Sequence, residues 1–233
     1  MPANVAINIA KVRERIGRAC RAAGRAESDV TLIAVSKTQP DSAIRAAHNA
    51  GLSDIGENYC QEAIEKIAVL SDLPLTWHFI GPMQSNKTRL VAEHFAWVHS
   101  VDRLKLAQRL SAQRPSEMPP LNVCVQVNID DEASKSGIAP EALSSLLEAV
   151  IELPHLRVRG LMAIPQPRPN PADQRPALIK MRALFDQQRE RWPQLDTLSM
   201  GMSDDFELAI EAGATMIRVG TDIFGARAGS KES

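Results

Sequence analysis

The chain lacks the residue patterns that would mark a metal centre, a disulfide scaffold or a membrane span. Its 233 residues contain three cysteines, Cys20, Cys60 and Cys124, set far apart and without a Cys-x-x-Cys pair. The five histidines, His48, His78, His94, His99 and His155, also lack metal-ligand spacing. No zinc site is expected, and reduced thiols suit a cytoplasmic protein. No apolar stretch approaches the roughly 20 residues needed to cross a bilayer. The segment "MPANVAINIAKVRERIGRAC" has no apolar core of signal-peptide type. Net charge is −1, so neither a nucleic acid nor an anionic membrane is an expected partner. No Gly-x-Gly-x-x-Gly follows the first strand candidate, which removes the usual dinucleotide fingerprint. No internal repeat stands out.

What is present reads as an ordinary soluble α/β protein. The hydrophobic fraction is 44% and the charged fraction 24%, values typical of globular domains. Val5, Ile9, Val12 and Ile16 recur at helical spacing and predict an N-terminal amphipathic helix. Strands are predicted at 31–37, 54–58, 77–81, 97–101, 122–129, 158–164, 197–202 and 216–220. Helices are predicted near 40–50, 58–70, 84–94, 103–114, 139–152, 173–191 and 204–212. Eight strands with a helix in every gap suit a single (β/α)8 TIM barrel with an extra helix in front. An open doubly wound sheet is the alternative. The proline-rich stretch "PQPRPNPADQRP" at 165–176 is expected to be an exposed loop, not a boundary, so residues 1–233 are expected to form one domain.

In such barrels, chemistry sits at the carboxyl ends of the strands. The first end delivers Lys37, and a lysine is rarely buried without a partner. The second delivers Glu57 and Asn58. The seventh delivers "SMGMSDD", Ser199 to Asp205, and the eighth "RVGTDIFG", with Arg218, Gly220 and Thr221. The seventh segment turns on Gly201 and is expected to enter a helix at about Ser203, with Ser203 as its cap and Asp204 and Asp205 in the first turn. Such turns bind anions, and barrels often hold a phosphate after strands 7 and 8. Taken singly, Ser203 reads as a cap, Gly220 as packing, Arg218 as half of an ion pair and Lys37 as a lysine reaching for water. Taken together, an amine and two anion-binding turns suggest a Schiff base with a phosphorylated aldehyde. Pyridoxal 5′-phosphate (PLP) is the first candidate.

The motifs "AVSKT", "GENYCQEAIEKI", "WHFIGPMQSNK", "DDEASKSGI", "RGLMAIP", "SMGMSDDFELAI" and "RVGTDIFGAR" together resemble the pyridoxal phosphate homeostasis protein family, over about residues 5 to 227. That resemblance implies a barrel like the N-terminal domain of alanine racemase, a fold-type III PLP protein. It implies PLP on Lys37 as a Schiff base, with its phosphate at Ser203, Gly220 and Thr221. Gly201 and Met202 would shape the phosphate turn, Ser199 would stand at its start, Arg218 would face the pyridine nitrogen, and Asn58 would lie beside the ring.

An arginine against that nitrogen disfavours ring protonation and makes the cofactor a poorer electron sink. Related racemases also draw a tyrosine from a second, β-rich domain. Here the eighth strand is expected to end near 220, and the chain's one tyrosine, Tyr59, falls at a helix entrance. The expected role is therefore that of a PLP-binding protein in intracellular PLP homeostasis, not an enzyme, with transfer of PLP to apo-enzymes as an extension of it. An amino-acid racemase or other weak PLP enzyme, and a Schiff-base aldolase without PLP, are the alternatives. Lys135 is either a solvated loop lysine or a residue at the barrel mouth that helps PLP pass. His78 and His99 are expected to be hydrogen-bonded core groups, and Trp77, Trp97 and Trp192 packing residues. A monomer is expected.

Overall fold

The computed structural model describes residues 2–130, 136–168 and 170–225. Eight parallel strands close into a barrel in sequence order. They are β1 (Thr31–Val35), β2 (Asp54–Glu57), β3 (Thr76–Phe79), β4 (Trp97–Val101), β5 (Leu121–Gln126), β6 (Leu156–Met162), β7 (Thr197–Ser199) and β8 (Met216–Val219). Helices α2 (Asp41–Asn49), α3 (Cys60–Val69), α4 (Thr88–His94), α5 (Leu104–Gln113), α6 (Leu143–Ile151), α7 (Arg175–Arg191) and α8 (Phe206–Glu211) connect them. Helix α1 (Pro2–Ala22) precedes the barrel, and a short helix α9 (Thr221–Phe224), not expected from the sequence, follows β8. The first strand pairs with the last through Thr31–Met216, Leu32–Ile217, Ile33–Arg218 and Ala34–Val219. The open-sheet alternative is thereby removed.

All eight expected strands form, but most stop before the residues expected to end them. Strand β1 ends at Val35, not Lys37, and β7 at Ser199, not Met202. One inter-strand bond continues past each end, from Ser36 N–H to the Gly56 carbonyl and from Met200 N–H to the Met216 carbonyl, and the chain then turns towards its helix. In the proline-rich stretch Gln166 and Pro167 are exposed as expected, but Pro165 is buried and Pro171–Gln174 forms a 3-10 turn leading into α7.

Period-two alternation sorts the strand side chains into two layers. Leu32, Ala34, Trp77, Phe79, Val98, Leu161, Leu198, Ile217 and Val219 belong to the large cluster between strands and helices. Ile33, Trp97, Cys124, Met162 and Met216 form a separate small cluster. The same interior parity carries His78, His99, Ser199 and Arg218, all buried. The barrel is therefore filled partly by polar groups. Helix α1 buries Val5, Ile9, Val12 and Ile16, as expected, and packs on α2, α8 and α9 across the closing seam. The three thiols are buried and unpaired, and burial pushes the Cys124 thiol up to about 12. Among the described residues, no helix is long and apolar enough to cross a membrane, and no metal-binding cluster is found.

Two outcomes follow from this packing. Phe95 is 1% exposed and meets Phe79 edge to face at 5.5 Å. Phe95→Ala is expected to cost about 3–5 kcal/mol, read by urea unfolding; a loss under about 1 kcal/mol would refute its place in the core. Burial also holds His78 below, and His99 well below, the ordinary value of 6.5. The folded chain thus binds protons there less readily than the unfolded chain. That stabilisation is present above about pH 6.5 and is lost as pH falls from there through the folded values. Unfolding at pH 5 is expected to take up more protons than at pH 7.5; equal uptake at both would contradict the neutral rings.

Candidate functional site

Lys37 lies two residues past β1, on a loop held from behind. Thr38 has φ +64°, a conformation that costs a β-branched residue roughly 1–2 kcal/mol. Its N–H donates to Glu62 Oε1 at 2.6 Å. The ladder continues one step through Ser36 N–H to the Gly56 carbonyl at 3.0 Å. Lys66 on α3 then donates to the Ser36 carbonyl at 2.7 Å, to Glu57 Oε1 at 2.7 Å and to Glu62 Oε1 at 2.6 Å. The Ser36 hydroxyl donates to the same Glu57 oxygen at 2.5 Å. Burial pushes the Glu57 carboxyl up, and the bonds from Lys66 and Ser36 oppose that shift. This buried cluster clamps both sides of Lys37: Ser36 before it and Thr38 after it.

The opposite wall comes from β7 and β8. Arg218 is 4% exposed, and burial lowers its guanidinium to about 10. It donates to Ser199 Oγ at 2.6 Å and to the Ala163 carbonyl at 2.9 Å. Gly201 has φ +97°, and a Cβ there would stand 2.6 Å from that of Ala209. The expected cap at Ser203, with Asp204 and Asp205 in the first turn, is corrected: α8 begins at Phe206, and Asp205 stands at its N-cap position without a side-chain bond into the helix. The Asp205 carboxylate accepts from the Met202 N–H at 2.7 Å, and the Phe206 N–H returns to the Met202 carbonyl at 2.8 Å. Closing that tight turn delays the helix and leaves Ser203 on the cavity wall instead of in a cap.

The cavity between the walls measures about 350 Å³, within the range of small-ligand sites. Of the residues singled out from the sequence, Lys37, Asn58, Met202, Ser203, Asp204, Arg218, Gly220 and Thr221 line it; Asp204 was expected in a helix turn, not on the cavity wall. Ser199 and Gly201 do not line it: Ser199 is fully buried behind Arg218, and Gly201 packs beneath the turn. Sequence reasoning missed the apolar walls Val35, Ile80 and Ile164. Ile80 follows β3 directly and Ile164 lies two residues past β6, so listing every strand-end residue, apolar ones included, would have found them. Asn58 Oδ1 is buried and has no partner among the described residues. Gly81 makes room beside it, since a Cβ there would meet the Asn58 carbonyl oxygen at 2.1 Å. A second cavity of about 290 Å³ shares Asn58, Ile80 and Ile164 and reaches Ser136. Lys135 lies outside the described residues. Tyr59 is 55% exposed and is not among the lining residues.

Removing the cation behind Lys37 should be costly. Lys66→Met leaves Glu57 buried without its partner and is expected to lose about 3–5 kcal/mol, while adding Glu57→Leu should recover most of it. Equal stability of the single variant and the parent in urea would refute the clamp.

The matches to known proteins agree with this geometry. The model of the "Alanine racemase, N-terminal domain" family matches residues 7–228. The pyridoxal phosphate homeostasis protein of Pseudomonas aeruginosa is 63% identical over 223 residues, 96% of each chain. PipY of Synechococcus elongatus, solved with PLP bound, is 40% identical with a TM-score of 0.83, covering 95% of this chain and 100% of PipY. Alanine racemase of Corynebacterium glutamicum shares the fold at 13% identity and a TM-score of 0.74, over 99% of this chain and 63% of the racemase. The chain belongs to the alanine racemase N-terminal domain family and, within it, to the pyridoxal phosphate homeostasis proteins.

Proposed function

We propose that this chain binds PLP in the Lys37 cavity and holds it in reserve, keeping the free aldehyde low and delivering PLP to apo-enzymes. The observation that carries this reading is the convergence of one amine, one buried guanidinium and two strand-end turns on a single cavity. The residues fit the group. Asn58 offers a buried carbonyl oxygen without a partner among the described residues. Arg218 offers a cation to the ring nitrogen, and Ser203, Gly220 and Thr221 form the turns that would take the phosphate. Met202 and Gly201 shape the first of those turns. Bound there, PLP supplies an aldehyde for covalent attachment to an amine, and Lys37 is the amine on the cavity wall. The described barrel acts as one binding unit and works as a monomer.

Holding is favoured over turnover by the placement of Tyr59. The only tyrosine of the chain stands exposed before α3, outside the cavity lining, and so is poorly placed as an acid or base opposite Lys37. An arginine facing the ring nitrogen also weakens carbanion stabilisation.

The decisive experiment is borohydride reduction of the PLP-loaded protein followed by peptide mapping. The expected adduct lies on Lys37, with loss of the visible band; an adduct elsewhere overturns the assignment. Lys37→Ala should lose the covalent link and keep weaker PLP binding through the phosphate turns. Arg218→Gln should shift the absorption band and weaken binding about tenfold, roughly 1.4 kcal/mol. Deuterium exchange at the Cα of amino acids should be null, and measurable exchange would favour the racemase alternative.

A further inference from the structure

The barrel interior contains a continuous chain of side-chain hydrogen bonds ending at Arg218. Arg218 Nη1 lies 2.6 Å from Ser199 Oγ. Ser199 Oγ lies 2.8 Å from His99 Nδ1. His99 Nε2 lies 3.0 Å from His78 Nδ1, and His78 Nε2 lies 3.0 Å from Asp54 Oδ1. The members come from β8, β7, β4, β3 and β2. Asp54 is the first residue of its strand and its side chain is 28% exposed, whereas the other four members are buried. The chain therefore runs from the amino-terminal mouth of the barrel to the cavity at the carboxyl-terminal mouth. Trp97 stacks on His78 at 5.6 Å and 14°, and the Arg159 guanidinium covers Trp97 at 4.8 Å. These two residues hold the His78 ring in place.

The ends determine the proton positions. A guanidinium can only donate, and a carboxylate only accepts. Each neutral ring carries one N–H. His78 gives its proton to Asp54 from Nε2, which leaves Nδ1 as an acceptor. His99 then donates from Nε2, and its own Nδ1 accepts from the Ser199 hydroxyl. Ser199 Oγ in turn accepts from Arg218. With a carboxylate at the end and one proton per ring, no other assignment makes all of these bonds. Every bond points the same way, from the arginine towards Asp54, and bonds so aligned polarise one another. Among the described residues Arg218 makes no direct salt bridge; the Asp205 carboxylate acts on it through space, opposing the effect of burial, and the aligned bonds link it to a second carboxylate, Asp54.

We propose that Asp54, His78, His99 and Ser199 are positioning residues: they orient the Arg218 guanidinium and link it to a counter-charge at the far mouth of the barrel. The effect on a ligand rests on the PLP reading above; the effect on the rings does not. The relay therefore sets how strongly Arg218 donates to whatever occupies the cavity, although Asp54, His78 and His99 are not among the lining residues.

The test has two arms. In the protein without PLP, ¹⁵N NMR should find His78 and His99 both neutral and both protonated at Nε2. An Nδ1-protonated ring or an imidazolium overturns the relay. In the PLP-loaded protein, Asp54→Asn should shift the visible band and weaken affinity about three- to tenfold, with the borohydride adduct still on Lys37. Asp54→Glu should restore part of both, and Asp41→Asn, on α2, should change neither. Ser199→Ala breaks the same chain near its other end and should reproduce the band shift, which keeps the test open if Asp54→Asn fails to fold. An unchanged band and affinity in Asp54→Asn and Ser199→Ala overturn the proposal. Failure of the parent to bind PLP overturns the PLP-holding function instead, and ring protonation alone then decides the relay.

Discussion

The pairing of the first strand with the last is the constraint on which the rest of this molecule depends. Ile33 opposite Arg218 and Ala34 opposite Val219 bring the end of β1 against the end of β8. Lys37 and the turn at Gly220 and Thr221 thereby line one cavity. Gly220 lies close to Val35, where a Cβ would meet its carbonyl oxygen at 3.2 Å. Closing so long a loop is entropically expensive only in a logarithmic sense. The barrel offsets that cost with apolar burial in the strand–helix layer, and α1 adds its own face across the seam.

Closure also forces a choice about what fills the interior. Small barrels are usually plugged by branched aliphatic residues. Here apolar filling is confined to Ile33, Trp97, Cys124, Met162 and Met216, and the remaining space holds two imidazoles, a hydroxyl and a guanidinium. Each polar group is tolerable because its neighbour completes its hydrogen bonding. Outside the barrel wall the Lys66 ammonium serves two carboxylates and a carbonyl around the Lys37 loop, although Glu57 Oε2 has no partner among the described residues. The two polar systems flank the cavity: one braces the amine and the other orients the guanidinium. Both place charge where desolvation alone would exclude it, so each is stable only as a complete set.

Much of the architecture was legible because strands and helices carry local signals. The runs "TLIAV" and "WVHSV" are β-rich and lie between turn residues, and β4 occupies the predicted 97–101. The termini were less legible. Ser203 has the composition of a cap, yet Asp205 holds the Met202 N–H and α8 starts later. Either residue can cap a helix, and only the folded turn selects between them. The cavity residues were found because strand-end position is a topological rule, whereas Ser199 and Gly201 satisfy that rule and still fall behind the surface. His78 and His99 were legible as buried and hydrogen-bonded, but not as neighbours of each other or of Ser199.

By itself the sequence determined the eight-fold alternation of elements, the amine after the first strand and the glycine-bearing turns after the last two, because these are written in short-range periodicity and residue identity. Only the tertiary structure decided which polar side chains meet. Asp54, His78, His99, Ser199 and Arg218 are separated by up to 164 residues, and no local pattern encodes their contact. They meet because barrel closure turns strand parity into a shared interior, where a polar group left without a partner would cost more than the fold could offset.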